Sequence, residues 1–472
     1  MEQNKSVVII GAGPGGYAAA FLSSDLGMEV TLIDKEKNPG GVCLYRGCIP
    51  SKALLHVAKL LNETEEAKNW GIEFQKPKID LDKLREWKSS VVNKLTGGLG
   101  LLSKQRKINY IQGTASFINS STLQIRKVDG STLDHKIEKA IIATGSRIAT
   151  IPSLQIESKR LLNSTTALDL PEIPKSLLVI GGGYIGLELA SVYRALGTKV
   201  SVVEMLSGLL PGADRDLVMH LQKRVEKKYD KIMLNSKVVE MKDTGKAVHV
   251  KIENKDGSLT EHNFDYVLMS IGRKPVTDGL GLEFTRVKVN ERGWIKVNEQ
   301  MQTDDPDIYA VGDIVGEPML AHKASHEGRV AVEVIAGHKS AFEPKAIPAV
   351  VFTDPEIAWA GLTETQAKEK GIKYETAKFP WAASGRATTL DRFDGVTKLI
   401  IDPDDERILG VGICGAGAGE LIAEGALAIE MGANVRDLAL TIHPHPTLSE
   451  TIMEAAEVFF GQSTHMYKPK RK

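Results

Sequence analysis

Ser6-Val7-Val8-Ile9-Ile10-Gly11-Ala12-Gly13-Pro14-Gly15-Gly16 is a run of mostly β-branched residues that ends in a glycine-rich turn. A small-residue helical pattern, Tyr17 to Leu26, follows and stops at Gly27; a second apolar strand, Glu29 to Ile33, ends at Asp34. Strand, glycine turn, helix, strand and acid within about thirty residues form the pattern of a dinucleotide-binding βαβ unit. The unit returns as the strand Leu177-Leu178-Val179-Ile180, the turn Gly181-Gly182-Gly183-Tyr184-Ile185-Gly186, a helix from Leu187 to Leu196 stopped by Gly197, and a strand Lys199 to Val203 ending at Glu204. In both copies the acid stands eighteen residues beyond the last glycine. One such motif is weak evidence; two, each in its βαβ context and each with its acid, are strong.

The chemistry of each turn follows from its glycines. Gly11 and Gly181 permit the tight turn, Gly13 and Gly183 let the backbone approach a pyrophosphate, and Gly16 and Gly186 let helix and strand pack closely. The helix start offers unpaired N–H groups and the positive end of its dipole to phosphate. Asp34 and Glu204 are placed to accept hydrogen bonds from ribose hydroxyls. The expected fold class is therefore α/β with two Rossmann-like domains.

The rest of the chain agrees with that class. Its 472 residues correspond to about three domains at ~150 residues each. Lys plus Arg and Asp plus Glu are both 60, which argues against a basic nucleic-acid binder and against an acidic disordered tail. No stretch has the ~20 continuous apolar residues of a membrane span. Met1 to Ser6 makes a poor signal region, so a cytoplasmic location is expected. Further strand-to-turn endings occur at Ala140–Gly145, Tyr266–Arg273 and Asp307–Asp313. The C-terminal third shows alternating strand patterns around Ala349–Phe352 and Thr397–Ile401, helical patterns over Gly419–Met431 and Ser449–Phe460, and a basic tail, Lys468–Lys472, expected to be disordered.

Three cysteines exclude a secreted disulfide scaffold. Cys414 lies in an apolar run and is expected to be buried packing. Cys43 and Cys48 lie in Gly40-Gly41-Val42-Cys43-Leu44-Tyr45-Arg46-Gly47-Cys48-Ile49-Pro50-Ser51-Lys52, directly after the first nucleotide unit. A metal site would need further ligands, and His56 is the only close candidate, so no metal is expected. Two buried free thiols remain an alternative. A reducible disulfide beside a nucleotide site is favoured, with a thiolate stabilised by a helix start or a cofactor ring. Two dinucleotide sites and a dithiol suggest an electron route between dithiol, flavin and nicotinamide, with FAD and NAD as cofactors.

These motifs resemble the flavoprotein pyridine nucleotide-disulfide oxidoreductases, over essentially the whole chain. The redox segment, Ala310–Lys323 (AVGDIVGEPMLAHK) and His443–Glu450 (HPHPTLSE) carry the resemblance, most closely to the members that oxidise protein-bound dihydrolipoamide with NAD+. It implies an FAD-binding domain over 1–150, an NAD-binding domain over 151–275, a central segment over 276–345 that returns to the FAD site, and a C-terminal α+β dimerisation domain over 346–472. It implies that Gly11, Gly13, Gly16, Asp34, Ala115, Gly145, Asp313 and Ala321 serve FAD, with Lys52 near the flavin and paired to Glu188. Gly181, Gly183, Tyr184, Ile185, Gly186, Glu204, Val238, Gly272 and Arg273 would serve NAD, Tyr184 as a lid over the flavin. Glu204 itself favours a ribose 2′-hydroxyl over a 2′-phosphate, and Met205-Leu206-Ser207 offers no arginine for the latter.

The resemblance also assigns the acid–base pair to His445 and Glu450, leaving His443 structural. A carboxylate on one imidazole nitrogen fixes the tautomer and raises basicity. The family architecture implies a homodimer in which His445 reaches the redox pair of the other subunit, and lipoyl domains of 2-oxo acid dehydrogenase or glycine cleavage assemblies as partners. One departure stands out: Tyr45-Arg46 replaces the family's usual asparagine-valine, which would add charge near the thiolate if Arg46 turned inward. The rival expectations are a related FAD-dependent reductase acting on a glutathione-like disulfide or a metal ion, and a non-catalytic FAD-binding subunit.

Overall fold

The computed structural model describes residues 5–467, so the tail Lys468–Lys472 lies outside the described residues. The helices are α1 (Pro14–Asp25), α2 (Gly41–Arg46), α3 (Cys48–Glu66), α4 (Leu81–Gln105), α5 (Tyr184–Leu196), α6 (Arg215–Lys228), α7 (Ala321–Ala336), α8 (Glu364–Glu369), α9 (Gly385–Thr389), α10 (Ala418–Met431), α11 (Val435–Leu440) and α12 (Glu450–Phe460). The strand Ser6–Ile10 sits in a parallel sheet between Glu29–Asp34 and Lys139–Ile142, with Ile308–Ala310 beyond the latter. A strand covered on both faces needs apolar residues at every position, which is why Val7 to Ile10 is unbroken. Val7 and Ile9 pack with Ala19 and Ala20 of α1 and Val332 of α7; Val8 and Ile10 pack with Phe117, Leu123 and Ile125 on the opposite face.

That opposite face is built by one strand that changes partners. Asn109–Asn119 runs parallel to Glu29–Asp34 as far as Gln112, then antiparallel to Thr122–Lys127 from Gly113 onward. A Cβ at Gly113 would lie 2.4 Å from the Arg126 carbonyl oxygen, so the switch requires glycine. The second nucleotide unit repeats the plan. Ser176–Ile180 lies between Lys199–Val203 and Tyr266–Met269 in a parallel sheet. Leu177 and Val179 pack with α5 and α6; Leu178 and Ile180 pack on an antiparallel ribbon of Lys237–Asp243, Val248–Glu253 and Leu259–Phe264. The duplication therefore extends beyond the glycine motif to a whole three-layer arrangement.

The C-terminal region is an antiparallel sheet in the order Ala349–Val351, Glu356–Gly361, Ile408–Gly415, Val396–Ile401, Glu375–Pro380. Ile422 of α10 and Ile452 of α12 pack against it. The strand expected to alternate, Thr397–Ile401, is buried at all six positions of Val396–Ile401. The reason is that α6 covers the other face of the sheet: Leu217 Cδ1 stands 2.7 Å from where a Cβ at Gly412 would be. Lys398 is fully buried there, and its Nζ donates to Asp214 at 2.6 Å, Asp216 at 2.8 Å and Glu364 at 3.0 Å. Among the described residues no helix is long and apolar enough to cross a membrane.

The ammonium of Lys398 ties the second nucleotide unit to the C-terminal sheet, and its loss strands buried carboxylates. Lys398→Met is expected to cost about 3–5 kcal/mol and lower the thermal midpoint. Lys378→Met, which removes a half-exposed partner of Asp216 and Glu364, is expected to cost less than ~1 kcal/mol. Equal midpoints for the two variants in a melting experiment would contradict this.

Candidate active site

At each glycine turn the three glycines have separate work. Gly11 and Gly181 adopt φ of +101° and +104°, which side-chain-bearing residues rarely take. A Cβ on Gly16 would lie 1.8 Å from the Gly11 carbonyl oxygen, and one on Gly186 would lie 2.3 Å from that of Gly181. Gly183 faces open space, and Gly13 meets only Gly41 Cα at 3.9 Å. That free volume lies at the starts of α1 and α5, where no side chain caps the helix and its N–H groups are left for phosphate. Both helices begin about one turn earlier than their apolar pattern indicates, because the third glycine belongs to the first turn.

The two acids brace their own turns. Asp34 accepts the Ala12 N–H at 2.7 Å and the Glu36 N–H at 2.9 Å; Glu204 accepts the Gly182 N–H at 2.6 Å and the Leu206 N–H at 2.7 Å. Each oxygen keeps a further lone pair for a ribose hydroxyl.

A cavity of about 640 Å³ is lined by Asp34, Gly13, Gly145, Cys43, Cys48 and Asp313. Ala115 and Ala321 border it as well. A Cβ at Gly145 would meet nothing within 4 Å, so backbone is exposed along its wall. A cavity lined by the first glycine turn, its acid Asp34 and the dithiol fits FAD. Asp313 accepts the Ser146 hydroxyl, and Ser146 in turn accepts Arg273 Nε at 2.7 Å. Buried Glu327, paired with Lys323 at 2.7 Å, accepts the Gly312 N–H at 2.7 Å and so fixes the Asp313 turn. Sequence reasoning missed Ser146, Lys323 and Glu327; only the four-residue spacing of Lys323 and Glu327 on α7 could have pointed to that pair.

Arg273, expected at the NAD site, borders this cavity together with Tyr184 and Ile185. Its strand, Arg273–Pro275, pairs antiparallel with Ser146–Ile148, which carries the guanidinium to Ser146. Gly272 ties into the same pairing by accepting the Ala149 N–H at 3.0 Å. Val238 is buried in the apolar layer beneath the second sheet beside Val203, a packing position rather than an open wall. Tyr184 and Ile185, at the start of α5, border the first cavity; burial pushes the Tyr184 phenol up to about 12.

Cys43 lies in α2 and Cys48 is the first residue of α3, with Gly47 at the junction. Cys48 is exposed and Cys43 half-buried. The Cys43 thiol donates to Cys48 and lowers it to about 7, against the opposing effect of burial and with further help from the Lys52 ammonium. The same hydrogen bond, with burial second, raises Cys43. Lys52 Nζ donates to Glu188 at 2.8 Å and lies 4.5 Å over the Phe352 ring. Arg46 turns away from the thiols to pair with Glu36, and the Tyr45 hydroxyl donates to the Asn38 carbonyl at 3.0 Å. The unusual Tyr45-Arg46 pair therefore supports the loop after Asp34 and adds no cation at the sulfurs. Cys414 is buried, as expected.

His445 Nδ1 pairs with Glu450 Oε1 at 2.9 Å, and Glu450 Oε2 accepts the Thr447 N–H at 2.7 Å. Glu450, at the start of α12, thus orients the imidazole while fastening the loop. His443 is a structural residue: its ring is buried between Glu424 at 2.7 Å and the Thr441 carbonyl at 2.8 Å. The His445 side chain is 70% exposed and borders a separate cavity of about 250 Å³ that shares no residue with the dithiol cavity. Within one chain the base and the dithiol stand apart. Near His445, Leu440 and Ile442 are 73% and 94% exposed.

Residues 5–328 match the pyridine nucleotide-disulphide oxidoreductase family, and residues 347–456 match the dimerisation domain of the same family. The chain is similar to the dihydrolipoyl dehydrogenase of Haemophilus influenzae, with 50% identity covering 100% of this chain and 98% of the relative. It is also similar to the dihydrolipoyl dehydrogenase of Geobacillus stearothermophilus, with 46% identity covering 97% of each chain. Among solved structures, LpdA of Mycobacterium tuberculosis superposes with a TM-score of 0.88 at 28% identity, covering 96% of this chain and 99% of that one. The HOCl-induced flavoprotein disulfide reductase RclA of Escherichia coli, in a Cu(II) complex, gives 0.85 at 29% identity, covering 97% and 99%. The chain belongs to the pyridine nucleotide-disulphide oxidoreductase family and is a flavoprotein oxidoreductase of FAD and NAD with a C-terminal dimerisation domain.

Proposed function

We propose that the chain oxidises protein-bound dihydrolipoamide to lipoamide with NAD+, as a homodimer whose partners are lipoyl domains of 2-oxo acid dehydrogenase or glycine cleavage assemblies. The observation that carries this is that Cys43, Cys48 and Lys52 line one cavity with Gly11, Gly13 and Asp34 of the first nucleotide turn. Support for the substrate comes from the full-length likeness to proteins named dihydrolipoyl dehydrogenase. The division into 1–150, 151–275, 276–345 and 346–472 and a cytoplasmic location, where NAD+ is available, belong to the same reading.

In this reading His445, oriented by Glu450, removes a proton from one substrate thiol. The thiolate attacks the Cys43 sulfur of the oxidised pair; a mixed disulfide forms and Cys48 leaves as a thiolate. Lys52 favours that leaving group by its charge, and Glu188 holds Lys52 in place. The second substrate thiol then attacks its own sulfur in the mixed disulfide. Lipoamide departs as a cyclic disulfide, and the enzyme keeps the dithiol. FAD, when bound, supplies the two-electron carrier between the dithiol and NAD+. The separation of His445 from Cys43 in one chain is met by the dimer: the base of one subunit serves the redox pair of its partner, and exposed Leu440 and Ile442 are covered.

Three outcomes are expected. His445→Gln lowers dihydrolipoamide turnover about 100-fold or more while leaving NADH-driven flavin reduction intact; undiminished turnover removes the base role, and faster reduction of glutathione disulfide than oxidation of dihydrolipoamide supports the rival substrate. NADH is used with much higher kcat/KM than NADPH, because Glu204 repels a 2′-phosphate, and equal values contradict that. In the reduced protein one thiolate forms near pH 7, followed by its ultraviolet absorbance, and Cys43→Ala raises its midpoint by about one unit or more by deleting the hydrogen bond. An unmoved midpoint would place the thiolate elsewhere.

A further inference from the structure

The five residues that follow Asp34, Lys35-Glu36-Lys37-Asn38-Pro39, form neither strand nor helix. Side chains from two neighbouring elements hold them. From the strand Asn109–Asn119, the Tyr110 hydroxyl donates to the Glu36 carbonyl at 2.8 Å and Gln112 Nε2 donates to the Lys35 carbonyl at 3.0 Å. From α2, the Tyr45 hydroxyl donates to the Asn38 carbonyl at 3.0 Å and accepts the Asn38 N–H at 3.3 Å, while Arg46 Nη2 pairs with Glu36 Oε1. The Glu36 N–H donates to Asp34 at 2.9 Å. Glu36 is therefore joined to the acid on one side and to the redox helix on the other. Asp34, Lys35, Glu36 and Arg46 all line the large cavity, so the ion pair is part of its wall. The reaction above uses neither Tyr45 nor Arg46.

Resting on the reading of this cavity as the FAD site, we propose that Tyr45 and Arg46 are positioning residues that latch the loop after Asp34 against the cavity and so set how fast FAD leaves. The contacts close a ring around one corner of the cavity. Asp34 accepts the Ala12 N–H at 2.7 Å, the Ala12 carbonyl accepts the Gly40 N–H at 2.8 Å, α2 starts at Gly41, and Arg46 at its end returns through Glu36 to Asp34. The anchor is firm. A Cβ on Gly41 would lie 2.5 Å from Gly13 Cα, so the start of α2 is pressed onto the first glycine turn, and Leu44 is buried. Both Asp34 oxygens bind backbone N–H groups, so its direction depends on where the Glu36 backbone lies, and Arg46 and Tyr110 locate that residue. Breaking the Arg46–Glu36 link opens the ring at its one side-chain-to-side-chain contact. The loop is then free to move aside, and the cofactor held by Asp34 leaves sooner. The effect falls on retention of FAD, since Arg46 turns away from the sulfurs.

The test is the rate of FAD release from the FAD-loaded enzyme, followed as the rise in flavin fluorescence in urea below the unfolding transition, with far-ultraviolet circular dichroism showing that the chain stays folded. Arg46→Val and Tyr45→Phe are each expected to release FAD about fivefold faster than wild type. Glu36→Gln is expected to match Arg46→Val, and the double variant Arg46→Val/Glu36→Gln to release FAD no faster than either single one, because both remove the same contact. Arg46→Lys, which keeps the charge, is expected to recover most of the wild-type rate. Lys378→Met, which breaks a half-exposed ion pair outside this cavity, is expected to leave release unchanged. Release at the wild-type rate in Arg46→Val overturns the proposal. So do rates that multiply in the double variant, and so does an equal acceleration in Lys378→Met, which would mark a general loosening of the chain. Undiminished FAD affinity in a folded Asp34→Ala protein overturns the reading of the cavity itself, so the two failures are told apart.

Discussion

Glu188 holds three parts of the chain at one point. Its carboxylate is buried in the first turns of α5, the helix that follows the second glycine turn. One oxygen receives Lys52 Nζ from the redox helix at 2.8 Å, and the other receives the Phe352 N–H at the edge of the C-terminal sheet at 3.0 Å. A buried carboxylate needs such partners, and removing any of them leaves a desolvated charge. The first nucleotide unit, the second and the C-terminal sheet are thus registered to one another within hydrogen-bond tolerance of the dithiol. Lys52 lies against the Phe352 ring on its way to Glu188, so it cannot swing away from Cys48 without losing both contacts. The positive charge that lowers Cys48 is fixed by the packing of the whole molecule, not by the redox segment alone.

The two nucleotide turns depend on a related constraint at smaller scale. In each, backbone presses on backbone so closely that one added methyl at Gly16 or Gly186 has no room. In each, the ribose acid also accepts the N–H of the residue between the first two glycines. The acid is therefore part of the turn before any cofactor arrives. Asp34 is one methylene shorter than Glu204, and its Ala12 contact at 2.7 Å shows that the shorter side chain still makes the brace. Tyr45, Arg46 and Tyr110 add hydrogen bonds and an ion pair to Glu36 and Asn38 just beyond, so the loop after Asp34 is braced from the redox helix as well.

Local chemistry was legible in the sequence because its constraints are local. Lys199–Val203 agrees with its pattern to the residue, and Ser6–Ile10 and Tyr266–Met269 lie where continuous apolar runs place them. The Lys52–Glu188 and His445–Glu450 pairs came from the family likeness, since 136 residues separate the first pair and no periodicity connects them. The antiparallel layers were not legible: Lys237–Asp243 and Thr132–Lys136 are largely exposed, charged strands with no apolar run to announce them. Val396–Ile401 misled for the opposite reason. Its alternating pattern promised one solvent face, but Asp214 and Asp216 neutralise Lys398 and the strand is buried throughout. The direction of Arg273 was not legible either, because it is decided by the pairing of Arg273–Pro275 with Ser146–Ile148.

The division of the chemistry between two cavities follows from how each half is made. A thiolate of lowered affinity for protons needs a fixed cation, and α3 and α5 supply it beside Cys48 through Lys52 and its partner Glu188. A base that must meet a large, protein-bound substrate needs an open face, and His445 has one, on a loop anchored by Glu450 at the start of α12. In the reading proposed above, a base on the rim of the C-terminal sheet, beside exposed Leu440 and Ile442, meets the redox pair through the association of two subunits. In that reading each half brings its own orienting carboxylate to the shared site, Glu450 on His445 and Glu188 on the Lys52 beside Cys48.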